Sequence, residues 1–121
     1  AYGVVNALQK LPESDARRIA QWAPAVAASI QAPRSMIAVA NDLLRLFERL
    51  GPISNQHLRS DLAIAAVLAE ACARAGAWNV MINLPLLTDE KERAEVEAQT
   101  RHAVADARAR CDAIERACAR D

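Results

Sequence analysis

The sequence predicts an all-α protein: an antiparallel helical bundle around a buried central helix, with a long C-terminal helix. Three observations carry this prediction. Apolar residues make up 53% of the chain and aromatics only 3%, with alanine supplying much of the apolar fraction. Such a composition suits helices that approach closely over small side chains better than a bulky-cored sheet. The stretch from Leu62 to Leu84 is apolar on nearly every side, and a helix of that kind must be wrapped by others or by lipid. No strand signal and no internal repeat appears anywhere in the chain.

The 121 residues suffice for one domain, 1–121, with a modest core. Lysine plus arginine balance aspartate plus glutamate at 15 each, which argues against a general nucleic-acid or anionic-membrane surface. The longest unbroken apolar run, Leu62 to Ala69, falls far short of the roughly 20 residues a membrane span needs. Cys72, Cys111 and Cys118 cannot all pair within the chain. Neither C-x-x-C nor H-x-x-x-H spacing occurs, so no metal site is expected, and reduced thiols fit a cytoplasmic protein.

The opening residues already show helical spacing at Val4 or Val5, Leu8 and Leu11. They have neither a cap nor an initiating Met before them, which predicts a chain whose beginning has been removed. After Pro12, Ser14 or Asp15 caps a second helix from about Asp15 to Gln31, with Ile19, Val26 and Ile30 on one face. Pro24 is expected to kink or split it, and Ala32-Pro33 to bend the chain again. A third helix runs from about Arg34 to Leu50, and Gly51-Pro52 stops it.

Ser60 or Asp61 can cap the central helix, Leu62 to Leu84, about 35 Å long. Leu68 falls in its packed middle. Glu70 and Arg74 pair at i,i+4 with the acid first. Asp61, Asn79 and Asn83 share the opposite side. Asp61 and Asn79 stand about 27 Å apart along the axis, too far to hold one reacting centre within one helix. Thr88 then caps a last helix reaching about Arg120. Its seam of small side chains at Thr100, Val104, Ala107, Cys111, Ile114 and Cys118 has heptad-like spacing, and His102 lies off it. Glu97–Arg101, Asp106–Arg110 and Asp112–Arg116 are further acid-first pairs.

The polar interval Ile53 to Arg59 is the place for ligand contacts, since loops on a rigid scaffold carry function. It holds Ser54, Asn55, His57 and Arg59, directly ahead of Ser60 and Asp61. A carboxylate behind a polar loop, on an otherwise apolar helix, is the candidate for acid–base work.

Several stretches together resemble a known family. The run Leu58-Arg-Ser-Asp-Leu-Ala-Ile-Ala-Ala66, then Asn79-Val-Met-Ile-Asn-Leu84 and Thr88-Asp-Glu90, is similar to the cyclodeaminase domain of formiminotransferase-cyclodeaminase. It is also similar to the related methenyltetrahydrofolate cyclohydrolases. Ala1-Tyr2 and Leu11-Pro12 look like the family's A-[FY] and L-P-K, with Glu13 in place of the lysine. Ser54-Asn55 stands where the family commonly has Gly-Asn. The family's glycine-rich P-G-G-G segment, its first helices and an acid just upstream of A-[FY] would precede Ala1.

The resemblance implies an all-helical, usually dimeric domain acting on a one-carbon unit carried by tetrahydrofolate. Cyclodeaminases close 5-formiminotetrahydrofolate to 5,10-methenyltetrahydrofolate and release ammonia; cyclohydrolases open the methenyl ring to 10-formyltetrahydrofolate. On this reading Asp61 is the catalytic carboxylate, and Asn55, His57 and Ser60 contact the folate. No metal is expected, and the partners are the folate substrate and a second copy. The competing expectation is a helical interaction module without catalysis.

Overall fold

In the computed structural model residues 2–119 are described, and they form four α-helices joined by short turns, with no strand among them. The helices are α1 (Tyr2–Gln9), α2 (Ala16–Leu50), α3 (Arg59–Asn83) and α4 (Glu90–Cys118). Single 3-10 turns at Gly51–Ile53, Gln56–Leu58 and Leu84–Leu86 connect the longer ones.

Short α1 buries Val5 and Leu8 against Ala25, with Leu11 and Trp22 closing the contact. Asp15 caps α2: its side chain accepts from the Arg17 N–H at 2.9 Å, satisfying one of the free donors of the first turn. The Arg17 hydrogen bonds hold the Asp15 carboxyl below the usual carboxylate range.

The predicted break between two helices does not exist. One helix runs through both Pro24 and Pro33 for 35 residues, about 52 Å. A proline frees the carbonyl four residues before it, so continuity depends on where those carbonyls go. Pro24 frees Ala20, which is exposed to solvent. Pro33 frees Ser29, which is buried, and the Asn83 side-chain amide donates to that carbonyl at 3.2 Å. A side chain from α3 thus supplies the donor that α2 lacks.

α2 and α3 form an antiparallel hairpin, and α4 lies across one face of it, parallel to α2. Cross-links at three heights set this arrangement. Arg34 donates to Gln99 at 2.6 Å, Asn41 to the Ala103 carbonyl at 3.0 Å, and Arg110 to Glu48. Between them lies one core, built from Ile30, Ile37 and Leu44 of α2, Ala66, Ala73 and Val80 of α3, and Val96, Ala107 and Ile114 of α4. Small α3 residues let the helices close up. Gly76 is the extreme case, since a Cβ there would stand 2.7 Å from Ile37 Cγ1 and 3.1 Å from the Pro33 carbonyl.

Three boundary expectations shift. α3 begins at Arg59 with no side-chain cap, so Ser60 and Asp61 lie inside its first turn. Asp89, not Thr88, caps α4, accepting from Lys91 and Glu92 at 2.8 and 3.1 Å. The expected end of α4 near Arg120 falls outside the described residues, and the helix runs to Cys118. Its seam is as read: Thr100, Ala107, Cys111 and Ile114 are buried, and His102 is exposed. The ion pairs Glu70–Arg74, Glu97–Arg101 and Asp106–Arg110 form at 2.8, 2.7 and 3.0 Å, whereas the expected Asp112–Arg116 pair does not close, both side chains standing in solvent.

The larger correction concerns the burial of α3. It is covered only toward α2 and α4. Ile64, Leu68, Trp78 and Ile82 stand exposed on its remaining side, beside exposed Met36, Val39, Leu43 and Leu46 of α2. Leu68 is 63% exposed, not in a packed middle. With α4 on one face of the hairpin, the described residues offer nothing to cover the other.

Candidate functional site

Asn55, His57, Ser60 and Asp61 come together by local geometry alone. Leu50 hands the chain to a 3-10 turn, and Ser54 fixes its exit by donating from Oγ to the Leu50 carbonyl at 2.7 Å. Asn55 then accepts from the His57 N–H at 3.0 Å, starting the second turn that feeds α3. The side chain of Asn55 is thereby committed to capping. His57, Ser60 and Asp61 are exposed, grouped at the N-terminal mouth of α3.

A cavity of about 260 Å³ lies behind them, where the end of α2, the start of α3 and the end of α4 meet, and none of the four is in its lining. Phe47, Leu62 and Ile114 make its apolar wall, while Glu48 and Arg59 supply charge. Glu48 is held by Arg110, which also reaches Asp106 at 3.0 Å. The sequence reading held the Asp106–Arg110 half of this set and missed Glu48, which reaches it from α2.

At the far end of α3, a larger crevice of about 540 Å³ opens between α2 and α3. Ser29, Pro33, Met36, Asn79, Ile82 and Asn83 line it. Asn83 is buried, its amide donating to Ser29 and to the Asn79 carbonyl at 3.0 Å. Asn79 is exposed at the rim. A visible signal marked this crevice, two asparagines four residues apart on an apolar helix. Distance from Asp61 along one helix set it aside.

A third group sits between α3 and α4. Glu70, 91% of whose side chain is buried, has Arg74 Nε at 2.8 Å from Oε1, close enough for an ion pair though not aligned as a hydrogen bond. Cys111 faces the same crevice. Burial first, then the Glu115 and Glu70 carboxylates, push its thiol up to about 11, so it is a protonated, unreactive thiol. Among the described residues, no group of three or more His, Cys, Asp or Glu is placed to hold a metal ion. No helix is long and apolar enough to cross a membrane.

Comparison with known proteins agrees with the motifs. The family model described as formiminotransferase-cyclodeaminase matches residues 1–102, a span holding both the Asn55–Asp61 and the Asn79–Asn83 segments. The formimidoyltransferase-cyclodeaminase of Gallus gallus is 31% identical over 84 residues, 69% of this chain. The match spans 16% of that relative's length. No solved structure matches. The four-helix chain, with its polar mouth ahead of α3 and its asparagine-lined crevice behind, belongs to the formiminotransferase-cyclodeaminase family.

Proposed function

We propose that this chain carries out cyclodeaminase chemistry in folate one-carbon metabolism, converting 5-formiminotetrahydrofolate to 5,10-methenyltetrahydrofolate with release of ammonia. The observation that carries the reading is the family match across both polar segments of α3. In that reaction N10 bonds to the formimino carbon, and the carbon–amine bond breaks. A carboxylate that takes the proton from N10 and returns it to the departing amine serves both halves. Asp61 is the candidate for that role: it is exposed, in the first turn of α3, and grouped with His57 and Ser60. Those two would contact the folate, with Asn55 holding the turn that presents them. The protein would act as a homodimer, because monomers rarely leave so continuous an apolar face bare. The thiols of Cys72, Cys111 and Cys118, all free, fit a cytoplasmic setting.

The test is turnover of 5-formiminotetrahydrofolate, followed by methenyl absorbance and by ammonia release, in the wild-type chain and in Asp61→Asn. Loss of a general acid–base group costs about 10²–10⁴-fold in rate, and the variant is expected in that range with folate binding retained. Full turnover by Asp61→Asn would remove Asp61 from the chemistry. Methenyl consumption without ammonia would assign the cyclohydrolase reaction instead. A wild-type chain that binds no reduced folate would leave the interaction-module reading.

A further inference from the structure

The crevice between α3 and α4 carries a set of charges that neither the core nor the polar mouth uses. Glu70 and Cys111 are buried at its floor, while Arg74, Arg108, Asp112 and Glu115 stand exposed around its rim. Helical rise sorts these groups. Arg74 lies about 6 Å beyond Glu70 on α3. Since α4 runs the opposite way, Arg108, about 4.5 Å back from Cys111, lies toward the same end. Asp112 and Glu115 lie toward the other, Glu115 about 10 Å from Arg108 along the axis. The crevice is polarised: two guanidiniums at one end, two carboxylates at the other, and a buried carboxylate between them.

These groups also have bonding capacity left over. Glu70, with 91% of its side chain buried, accepts no hydrogen bond at Oε1. Buried polar atoms are nearly always paired, so this oxygen marks a place for an N–H donor. Arg74 approaches Glu70 through Nε, which leaves its two terminal nitrogens for another acceptor. Arg108 and Asp112 make no hydrogen bond or ion pair among the described residues.

We propose that this crevice binds a free basic α-amino acid, such as lysine. The α-carboxylate pairs with the guanidiniums of Arg74 and Arg108, which present a carboxylate with forked donors. The α-ammonium donates to Glu70 Oε1. The side chain runs along the crevice and sets its cation between Asp112 and Glu115. Three carboxylates against two guanidiniums leave one negative charge in excess, which the ligand's one net positive charge neutralises. An acidic amino acid would add to that excess and face Asp112 and Glu115 with a second carboxylate. The volume, about 280 Å³, lies just below the range of about 300–1,000 Å³ that drug-sized ligands take, as suits one small metabolite. Glu70 stands about 14 Å from Asp61 along α3, so this site is separate from the polar mouth and needs nothing from the folate reading.

The test is titration of the isotope-labelled chain with L-lysine, followed by backbone amide shifts in NMR spectra. Saturable shifts centred on Glu70, Arg74, Arg108 and Cys111 are expected. Three analogues each remove one contact: cadaverine lacks the carboxylate, Nα-acetyl-lysine the α-ammonium, and norleucine the distal cation. Each should bind about tenfold more weakly or worse, as the loss of a charge-assisted contact implies. Arg108→Gln, at an exposed position that spares the fold, should weaken lysine by about the same factor and leave cadaverine unchanged. Asp112→Asn should weaken lysine and leave norleucine unchanged. Lysine that gives no saturable shift up to about 10 mM, or shifts centred elsewhere, overturns the proposal. Cadaverine binding as tightly as lysine overturns it by showing a plain dication site, and glutamate doing so overturns it by removing the charge match. Lysine binding unchanged in Arg108→Gln and Asp112→Asn overturns it as well.

Discussion

Asn83 donates its side-chain amide to the Ser29 carbonyl at 3.2 Å, the carbonyl that Pro33 has no N–H to satisfy. One asparagine on α3 thereby keeps α2 continuous. Asn83→Leu leaves a buried acceptor unpaired, which costs about 1–3 kcal/mol. Pro33→Ala restores the backbone donor, so the double variant should recover part of that loss. Urea unfolding of the four proteins in this cycle measures the coupling.

Gly76 is fixed by the same approach of the two helices. Alanine favours a helix interior by about 1 kcal/mol over glycine. Here its Cβ would meet Ile37 Cγ1 at 2.7 Å and the backbone oxygen of Pro33 at 3.1 Å, and overpacking costs about 1–3 kcal/mol. Gly76→Ala is expected to destabilise the fold despite its better propensity, by up to about 2 kcal/mol. A raised melting temperature would show that α2 and α3 can separate freely.

Leucines on opposite sides of the hairpin should behave differently. Leu44 is fully buried, and Leu44→Ala should cost about 2–5 kcal/mol. Leu68→Asp puts a charge on a side chain already 63% exposed. It should preserve helical content by circular dichroism and abolish self-association in sedimentation.

Cys111 gives a pH dependence of defined sign. Its thiol is raised to about 11, so the fold favours the neutral form over the thiolate. The stability this contributes is fully present below the unfolded thiol's pKa, about 8.5, and is lost as pH rises toward 11. Against Cys111→Ala, the wild-type protein should lose more stability between those limits. Iodoacetamide at pH 8 should label Cys111 slowly in the folded protein and rapidly in urea, as read by mass spectrometry.

The sequence by itself determined what short-range periodicity determines. The apolar spacing of Val5 and Leu8 in α1, the cap at Asp15, the stop after Leu50, the spacing of the α4 seam and the Glu97–Arg101 and Asp106–Arg110 pairs all involve residues a few positions apart. Their geometry follows from 3.6 residues per turn. The polar mouth Asn55–Asp61 was legible for the same reason.

What tertiary structure decided involved partners far apart in the chain. Whether Pro33 breaks a helix depended on a donor 54 residues from the Ser29 carbonyl it frees. Whether Leu68 is core or surface depended on where α4 came to rest, and an apolar stripe reads alike whether this chain or another covers it. The Glu48–Arg110 pair, 62 residues apart, had no local signature.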